Sequence, residues 1–300
     1  MLTRRTLLAA GASMLLPHRL WANSSLSLGT IKIDTLSDGN LVLPKSFVFA
    51  GDAPAGAADL FAKYGMTGDT IEPPCNVTLV RDGTNTILFD VGAGPDFMPT
   101  AGDLPDALDA LGVAPEDITH VVFTHAHPDH IWGLLDDFDD PMFPDATHMI
   151  GKAEFDYWMD PETVNTIDEG RTTFAVGAKR RLEVIEDMIT TFNDGEEILP
   201  GIAARASHGH TPGHMSFHIN SGSNNALIVG DAIVNHHLAF ARPDWQAGSD
   251  QDPEMGVTTR LGLLDQLSSE QMTLIGFHLP GGGIGRAEKD GDGYRFVEGI

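Results

Sequence analysis

The sequence predicts an α/β fold: two mixed β-sheets with helices on their outer faces, an αββα sandwich. Three observations carry that prediction. Strand-like and helix-like patterns come in an order that runs twice: strands, then helix and strand, then helices, and the same again. The composition is globular, with 300 residues, 42% apolar and 20% charged, which excludes wholesale disorder. No linker of Gly, Ser and Pro divides residues 23–300, so they are expected to form a single domain.

The first segment is an address. In Met1 to Ala22 (MLTRRTLLAAGASMLLPHRLWA), Arg4 and Arg5 precede an apolar run from Leu7 to Leu16, which is too short to span a bilayer. Leu20-Trp21-Ala22 supplies a small residue at a cleavage point. Thr3-Arg4-Arg5-Thr6-Leu7-Leu8 resembles a twin-arginine export signal. Residues 1–22 are therefore expected to be removed, leaving an exported protein, periplasmic or secreted. No later apolar run is long enough for a membrane span, so the mature form is expected to be soluble.

The remaining elements follow in order. Ile31 to Leu36 alternates apolar and polar residues and meets a turn signal, Ser37-Asp38-Gly39-Asn40. Leu43 to Tyr64, rich in Ala, Gly and Pro with Phe47, Phe49, Phe61 and Tyr64, reads as a loop or lid. Asn76 to Val80 and Thr86 to Asp90 flank Arg81-Asp82-Gly83-Thr84-Asn85 as a hairpin. A helix from about Pro105 to Leu111 stops at Gly112, and the β-branched His120 to Thr124 reads as a buried strand. Helical spacing covers Lys152 to Met159 and Phe174 to Met188. Strands are expected at Ile202 to Ala206, His214 to Ile219 and Ala226 to Val229. A helix fits Thr258 to Leu267, and strands fit Thr273 to Phe277 and Tyr294 to Val297.

Charge narrows the function. Eighteen Lys and Arg against 43 Asp and Glu give −25, and loss of the three arginines in residues 1–22 takes the mature chain to −28. Such a chain repels nucleic acid and anionic membranes; its expected partner is a small-molecule substrate, with a homodimer left open. The single cysteine, Cys75, excludes an internal disulfide. It follows Pro73-Pro74, away from any ligand motif in sequence, and reads as a buried inert thiol.

Thirteen histidines are many for a chain with three tyrosines, and four metal-capable side chains crowd into Thr124-His125-Ala126-His127-Pro128-Asp129-His130. Chance would supply that pattern about 0.003 times per chain. At a strand end, His125 and His127 point the same way because side chains alternate, and the turn at Pro128 returns Asp129 and His130 toward them. Three further candidates stand at strand ends: His214, closing Gly209-His210-Thr211-Pro212-Gly213-His214; Asp231, after Ala226 to Gly230; and His278, before Leu279-Pro280-Gly281-Gly282-Gly283. His120, His148, His208, His210, His218, His236 and His237 read as structural or surface. Imidazole and carboxylate without thiolate suit zinc, and also manganese, iron or cobalt; zinc is the default.

With these motifs, the hairpin ending in Phe89-Asp90-Val91-Gly92 and the Gly230-Asp231 step, the chain resembles the metallo-β-lactamase superfamily of metal-dependent hydrolases. The resemblance implies the fold of that family and two divalent ions, with His125, His127 and His214 on one, Asp129, His130 and His278 on the other, and Asp231 bridging. It also implies that Asp90 hydrogen-bonds the metal-binding loop. A bridging hydroxide would attack a carbonyl or phosphoryl centre, with Asp129 or Asp231 shuttling the proton. An aspartate at 231 departs from the Cys or Ser of true β-lactamases. Lys152-Ala153-Glu154-Phe155-Asp156-Tyr157-Trp158 and His278 to Gly285 are similar to secreted N-acyl homoserine lactonases and methyl parathion hydrolase. The expectation is a lactonase, with organophosphate or aryl-ester hydrolysis as the alternative. Trp132, Phe155, Trp158, Phe47 and Phe49 are candidate pocket walls. A catalytically silent exported metal-binding module is the reading from another class; the seven-residue set with a bridging Asp231 speaks against it.

Overall fold

The computed structural model describes residues 24–222 and 224–299, so the expected export segment lies outside the described residues. Nine strands come first: β1 (Ser24–Leu28), β2 (Ile31–Asn40), β3 (Leu43–Pro44), β4 (Thr70–Ile71), β5 (Pro74–Arg81), β6 (Thr86–Phe89), β7 (His120–Phe123), β8 (Thr147–Gly151) and β9 (Ile189–Phe192). Seven follow: β10 (Glu197–Leu199), β11 (Ile202–Ala206), β12 (Met215–Ser221), β13 (Asn224–Ile228), β14 (Thr273–Ile275), β15 (Ile284–Asp290) and β16 (Gly293–Glu298). The helices are α1 (Ala57–Lys63), α2 (Leu104–Leu111), α3 (Pro128–Ile131), α4 (Lys152–Met159), α5 (Thr163–Thr166), α6 (Thr172–Ile185), α7 (Leu238–Ala241) and α8 (Pro253–Ser269).

One seven-stranded sheet runs β1-β2-β5-β6-β7-β8-β9, a second runs β10 to β16 in sequence order, and β3 pairs only with β4. Both large sheets are mixed. β6 through β9 are parallel neighbours, as are β13 and β14, and the other neighbours are antiparallel.

Alternation decides the layers. Ile87, Phe89 and Val122 face one way and meet Phe217, Ile219, Ile228 and Ile275 of the second sheet. The Phe89 and Phe217 rings lie 5.0 Å apart across that interface. Leu88, Val121 and Phe123 face the other way, against Leu108 of α2, Trp158 of α4 and Leu182 of α6. Leu227 and Leu274 of the second sheet are covered by Phe240 of α7 and Leu263 and Leu267 of α8. The sandwich is thus helix, sheet, sheet, helix. Each fully buried Leu, Ile or Phe contributes about 1.5–3 kcal/mol.

The expected elements form with shifted ends. β11 and α4 occupy their expected spans. The α2 helix ends at Gly112, in the left-handed conformation at φ 73°. At β2 the expectation needs correction, because the strand does not stop at Leu36. Its register with β5 shifts between Ser37 and Asn40, and the strand continues through the expected turn. Gly39 takes φ 96° there, where a Cβ would meet the Thr100 carbonyl oxygen at 2.2 Å. Among the described residues no helix is long and apolar enough to cross a membrane.

Candidate metal centre

The site forms where strands end. β6 delivers Asp90, β7 delivers Thr124 and His125, β13 delivers Asp231 and β14 delivers His278. Between His127 and Trp132 the chain makes one helical turn, α3, rather than a plain turn. Pro128 starts it at a position that needs no N–H, and the turn carries Asp129 and His130 inward.

Two groups of ligand atoms gather, each within 4.8 Å: His125, His127 and His210; and Asp129, His130, Asp231 and His278. His127 Nδ1 lies 2.8 Å from His210 Nε2. Asp231 faces both groups, with its Oδ2 3.3 Å from His210 Nε2 and 3.3 Å from His278 Nε2. Its Oδ1 is 3.3 Å from His130 Nε2. Asp129 Oδ2 stands 3.1 Å from His278 Nε2.

His214 does not join either group, which corrects the expectation for that residue. Its ring lies behind Asp231: Nδ1 meets the Ser207 hydroxyl at 2.8 Å, and Nε2 accepts the Asp231 backbone N–H at 3.0 Å. Both nitrogens are committed to holding other residues. The Thr211-Pro212-Gly213 turn separates the two histidines of the motif and sends His210 to the metal-facing side. Gly230 fits this packing, since a Cβ there would lie 2.7 Å from His214 Nε2.

Hydrogen bonds fix the tautomers of the clustered histidines. His130 Nδ1–H donates to Asp90 Oδ2 at 2.8 Å, and His278 Nδ1–H to the Pro74 carbonyl at 2.8 Å. His210 Nδ1–H donates to Asp250 Oδ1 at 3.2 Å. His125 Nδ1–H donates to the Thr124 hydroxyl at 3.0 Å, which donates to Asp90 Oδ2 at 2.8 Å. With Nδ1 so engaged, His125, His130, His210 and His278 turn Nε2 toward the cluster, whereas His127 turns Nδ1 toward it. Asp90 also accepts the Thr124 N–H at 2.7 Å and sits at φ 64° to do so. It holds the His-rich loop as expected.

The donor set fits metal ions on its own evidence. His125 Nε2, His130 Nε2, Asp129 Oδ2 and Asp231 Oδ1 are buried and have no hydrogen-bond partner. Unmet groups in such numbers are costly unless a ligand satisfies them. Burial holds the His125 and His127 rings well below the usual range, so both stand as neutral donors. Burial opposes charge on His130 too, but the carboxylates of Asp231, Asp129 and Asp90 push it up to about 10. The carboxylates on that side of the cluster call for positive charge, which two divalent ions supply.

Several residues support the cluster in ways the sequence did not reveal. Glu154 of α4 is fully buried, and its carboxylate accepts from Ala126 N at 2.9 Å, Trp158 Nε1 at 2.6 Å, Thr211 Oγ1 at 2.7 Å and Gly213 N at 3.0 Å. It ties the His125–His127 loop to the His210 loop. Asp250 is held in turn by buried Arg260 at 3.4 Å. Cys75, distant from the motifs in sequence, packs beside His278, and burial pushes its thiol up to about 12. It is the inert thiol expected.

The cluster opens into a cavity of about 590 Å³ lined by Leu41, Phe47, Phe97, Phe174 and Val234, together with His127, Asp129, His210, Asp231 and His278. Of the expected wall aromatics, Phe47 lines it. Phe49 instead packs against Phe61 and Trp245, and Trp158 is buried on Glu154. Trp132 and Phe155 pack against the helix-side core. The Leu43 to Tyr64 segment, expected as a loop or lid, carries β3 and α1 and contributes Leu43, Phe47, Val48 and Tyr64 to the lining.

Comparison with known proteins agrees with this geometry. The family model of the metallo-β-lactamase superfamily matches residues 70–270, and the chain belongs to that superfamily. Two solved structures superpose with TM-score 0.86 at 25% identity over 94% of this chain. One is hydrolase AbOPH, described as in the beta lactamase superfamily, of which 99% is covered. The other is AidC, a dizinc quorum-quenching lactonase in complex with a product, N-hexanoyl-L-homoserine, of which 98% is covered. The uncharacterized protein YobT of Bacillus subtilis is 30% identical over 160 residues, 53% of this chain; the match spans 62% of YobT's own length.

Proposed function

We propose that this protein is a dinuclear metal-dependent hydrolase that opens N-acyl homoserine lactones, with zinc as the default metal. The observation that carries the reading is the pair of buried ligand groups sharing Asp231 at the floor of an apolar cavity. The likeness to a dizinc lactonase supports the substrate class.

In this reading His125, His127, His210 and Asp231 hold one ion, and Asp129, His130, His278 and Asp231 the other. When bound, such ions supply Lewis acidity and lower the pKa of water to about 7. The chain's own groups do the rest. Phe47, Phe97 and Phe174 exclude water and seat an acyl chain. Asp129 and Asp231, both lining the cavity, are the carboxylates within reach of the reacting atoms, and either can carry a proton to the leaving oxygen. His214 and Ser207 keep Asp231 in place through its backbone. The reading includes export to the periplasm or the medium, on the strength of Arg4-Arg5 and the apolar run behind them.

Proton release from N-hexanoyl homoserine lactone by the zinc-loaded protein tests the reading, with methyl parathion alongside and Asp129→Ala as control. Lactone opening that drops at least 100-fold in the control is expected. Nitrophenolate release without lactone turnover would move the substrate to organophosphates, and silence on both would overturn the substrate assignment.

A further inference from the structure

One wall of the cavity holds a charge that the hydrolytic reaction does not require. Among the described residues, Arg171 is the only Lys or Arg lining it, in a chain of −25. It is the residue immediately before α6, a 14-residue helix. It lies near enough to His127 for its charge to oppose protonation of that ring. Burial holds the guanidinium below its usual range, and only Asp168, Asp250 and Tyr157 act in the other direction. A cation there works against its own burial. Structural need answers for one bond: Arg171 Nη2 donates to the Gly248 carbonyl at 2.7 Å. A guanidinium has five N–H donors, and no other hydrogen bond of this one is formed to the protein among the described residues.

Resting on the lactonase reading, we infer that Arg171 is the polar anchor of the substrate pocket: it donates to a carbonyl oxygen on the acyl side of the substrate, the amide carbonyl in an N-acyl lactone. The layout assigns three subsites. The scissile carbonyl lies over Asp129 and Asp231. The tail lies along the apolar lining that includes Phe47, Phe97 and Phe174. Arg171, which lines the same cavity with Ser249, takes the one acceptor that such a substrate carries beyond its ester. Arginine suits this place because its fork stays charged when half-buried and one arm can be fixed while the others bind. Discrimination then comes from a half-buried donor that is left unpaired when the substrate lacks the amide.

The test compares zinc-loaded wild type, Arg171→Met and Arg171→Lys on N-hexanoyl homoserine lactone and on γ-caprolactone, which has no amide. Removal of one charge-assisted hydrogen bond is expected to raise KM for the amide lactone roughly 10- to 100-fold. With kcat and bound metal unchanged, kcat/KM on γ-caprolactone should move less than about 3-fold. Arg171→Lys should recover part of the loss. Equal losses on both lactones, or no loss on either, would overturn the subsite; the first pattern would make Arg171 a fastener for the Gly248 loop. Calorimetric binding of N-hexanoyl-L-homoserine separates this inference from the lactonase reading. Binding by wild type that weakens at least 10-fold in Arg171→Met, without lactone turnover, upholds the subsite and overturns the activity. Equal binding, or no binding by wild type, overturns the subsite.

Discussion

Glu154 shows what a single side chain does for this site. Its two carboxylate oxygens accept four donors, two of them backbone N–H groups in the two histidine loops. Burial pushes its carboxyl up, and the four donors pull it back. Glu154→Gln keeps the size but turns one oxygen into a donor that faces Gly213 N–H. The expected cost is about 1–3 kcal/mol of stability and about 10- to 100-fold in metal affinity, read by thermal melting and by titration against a chelator. A variant that melts and binds metal like wild type would show that the loops hold themselves. The Lys152 to Trp158 segment was marked by its likeness to lactonases, but the role of Glu154 in it was not legible: it sits in a helix pattern, and apart from Trp158 four residues on, its partners are 28 to 59 residues away. Four of the histidines, His125, His127, His130 and His278, were legible because they fall in strand-end contexts that the sequence displays. His210 was not, because a motif with two histidines does not say which one a turn will send inward. Only the packing of His214 against Ser207 and Asp231 N–H decides it.

At the scale of elements, β2 explains how distant pieces are fastened. Residues 37–40 carry every local sign of a turn, yet Asp38 is buried and the strand runs on. Its side chain accepts Ala93 N–H at 2.8 Å with one oxygen and Leu104 N–H at 2.8 Å with the other. The second bond caps the start of α2, whose own N-cap, Asp103, makes no side-chain cap bond. The first pins the loop that follows Asp90. Burial of Asp38 against these partners therefore outweighs the turn propensity of Ser37-Asp38-Gly39-Asn40. Asp38→Asn leaves one N–H facing an amide NH₂ and is expected to cost about 1–3 kcal/mol, seen as a lower denaturation midpoint with an unchanged slope. An unchanged midpoint would mean that the bulge, not the carboxylate, sets the geometry. Elements with strong local signals, such as α4 and β11, were legible to the residue. Those whose ends depend on partners elsewhere, such as β2 and α8, were not.

Across the whole molecule, the fold converges four strand ends, β6, β7, β13 and β14, on one edge of the sandwich. The two-sheet order was readable from the sequence because alternation and strand-helix succession are local. The meeting of Asp231 with both ligand groups was not, since it depends on how the second sheet faces the first. That meeting is the account's central claim: one carboxylate shared by two buried groups that hold two divalent ions. Metal counting by mass spectrometry on zinc-loaded, desalted protein tests it most directly, in wild type, His210→Ala and His214→Ala. The account predicts two ions per chain in wild type, one in His210→Ala, and two more weakly held in His214→Ala. A single ion in wild type, or loss of an ion in His214→Ala with both retained in His210→Ala, would contradict it.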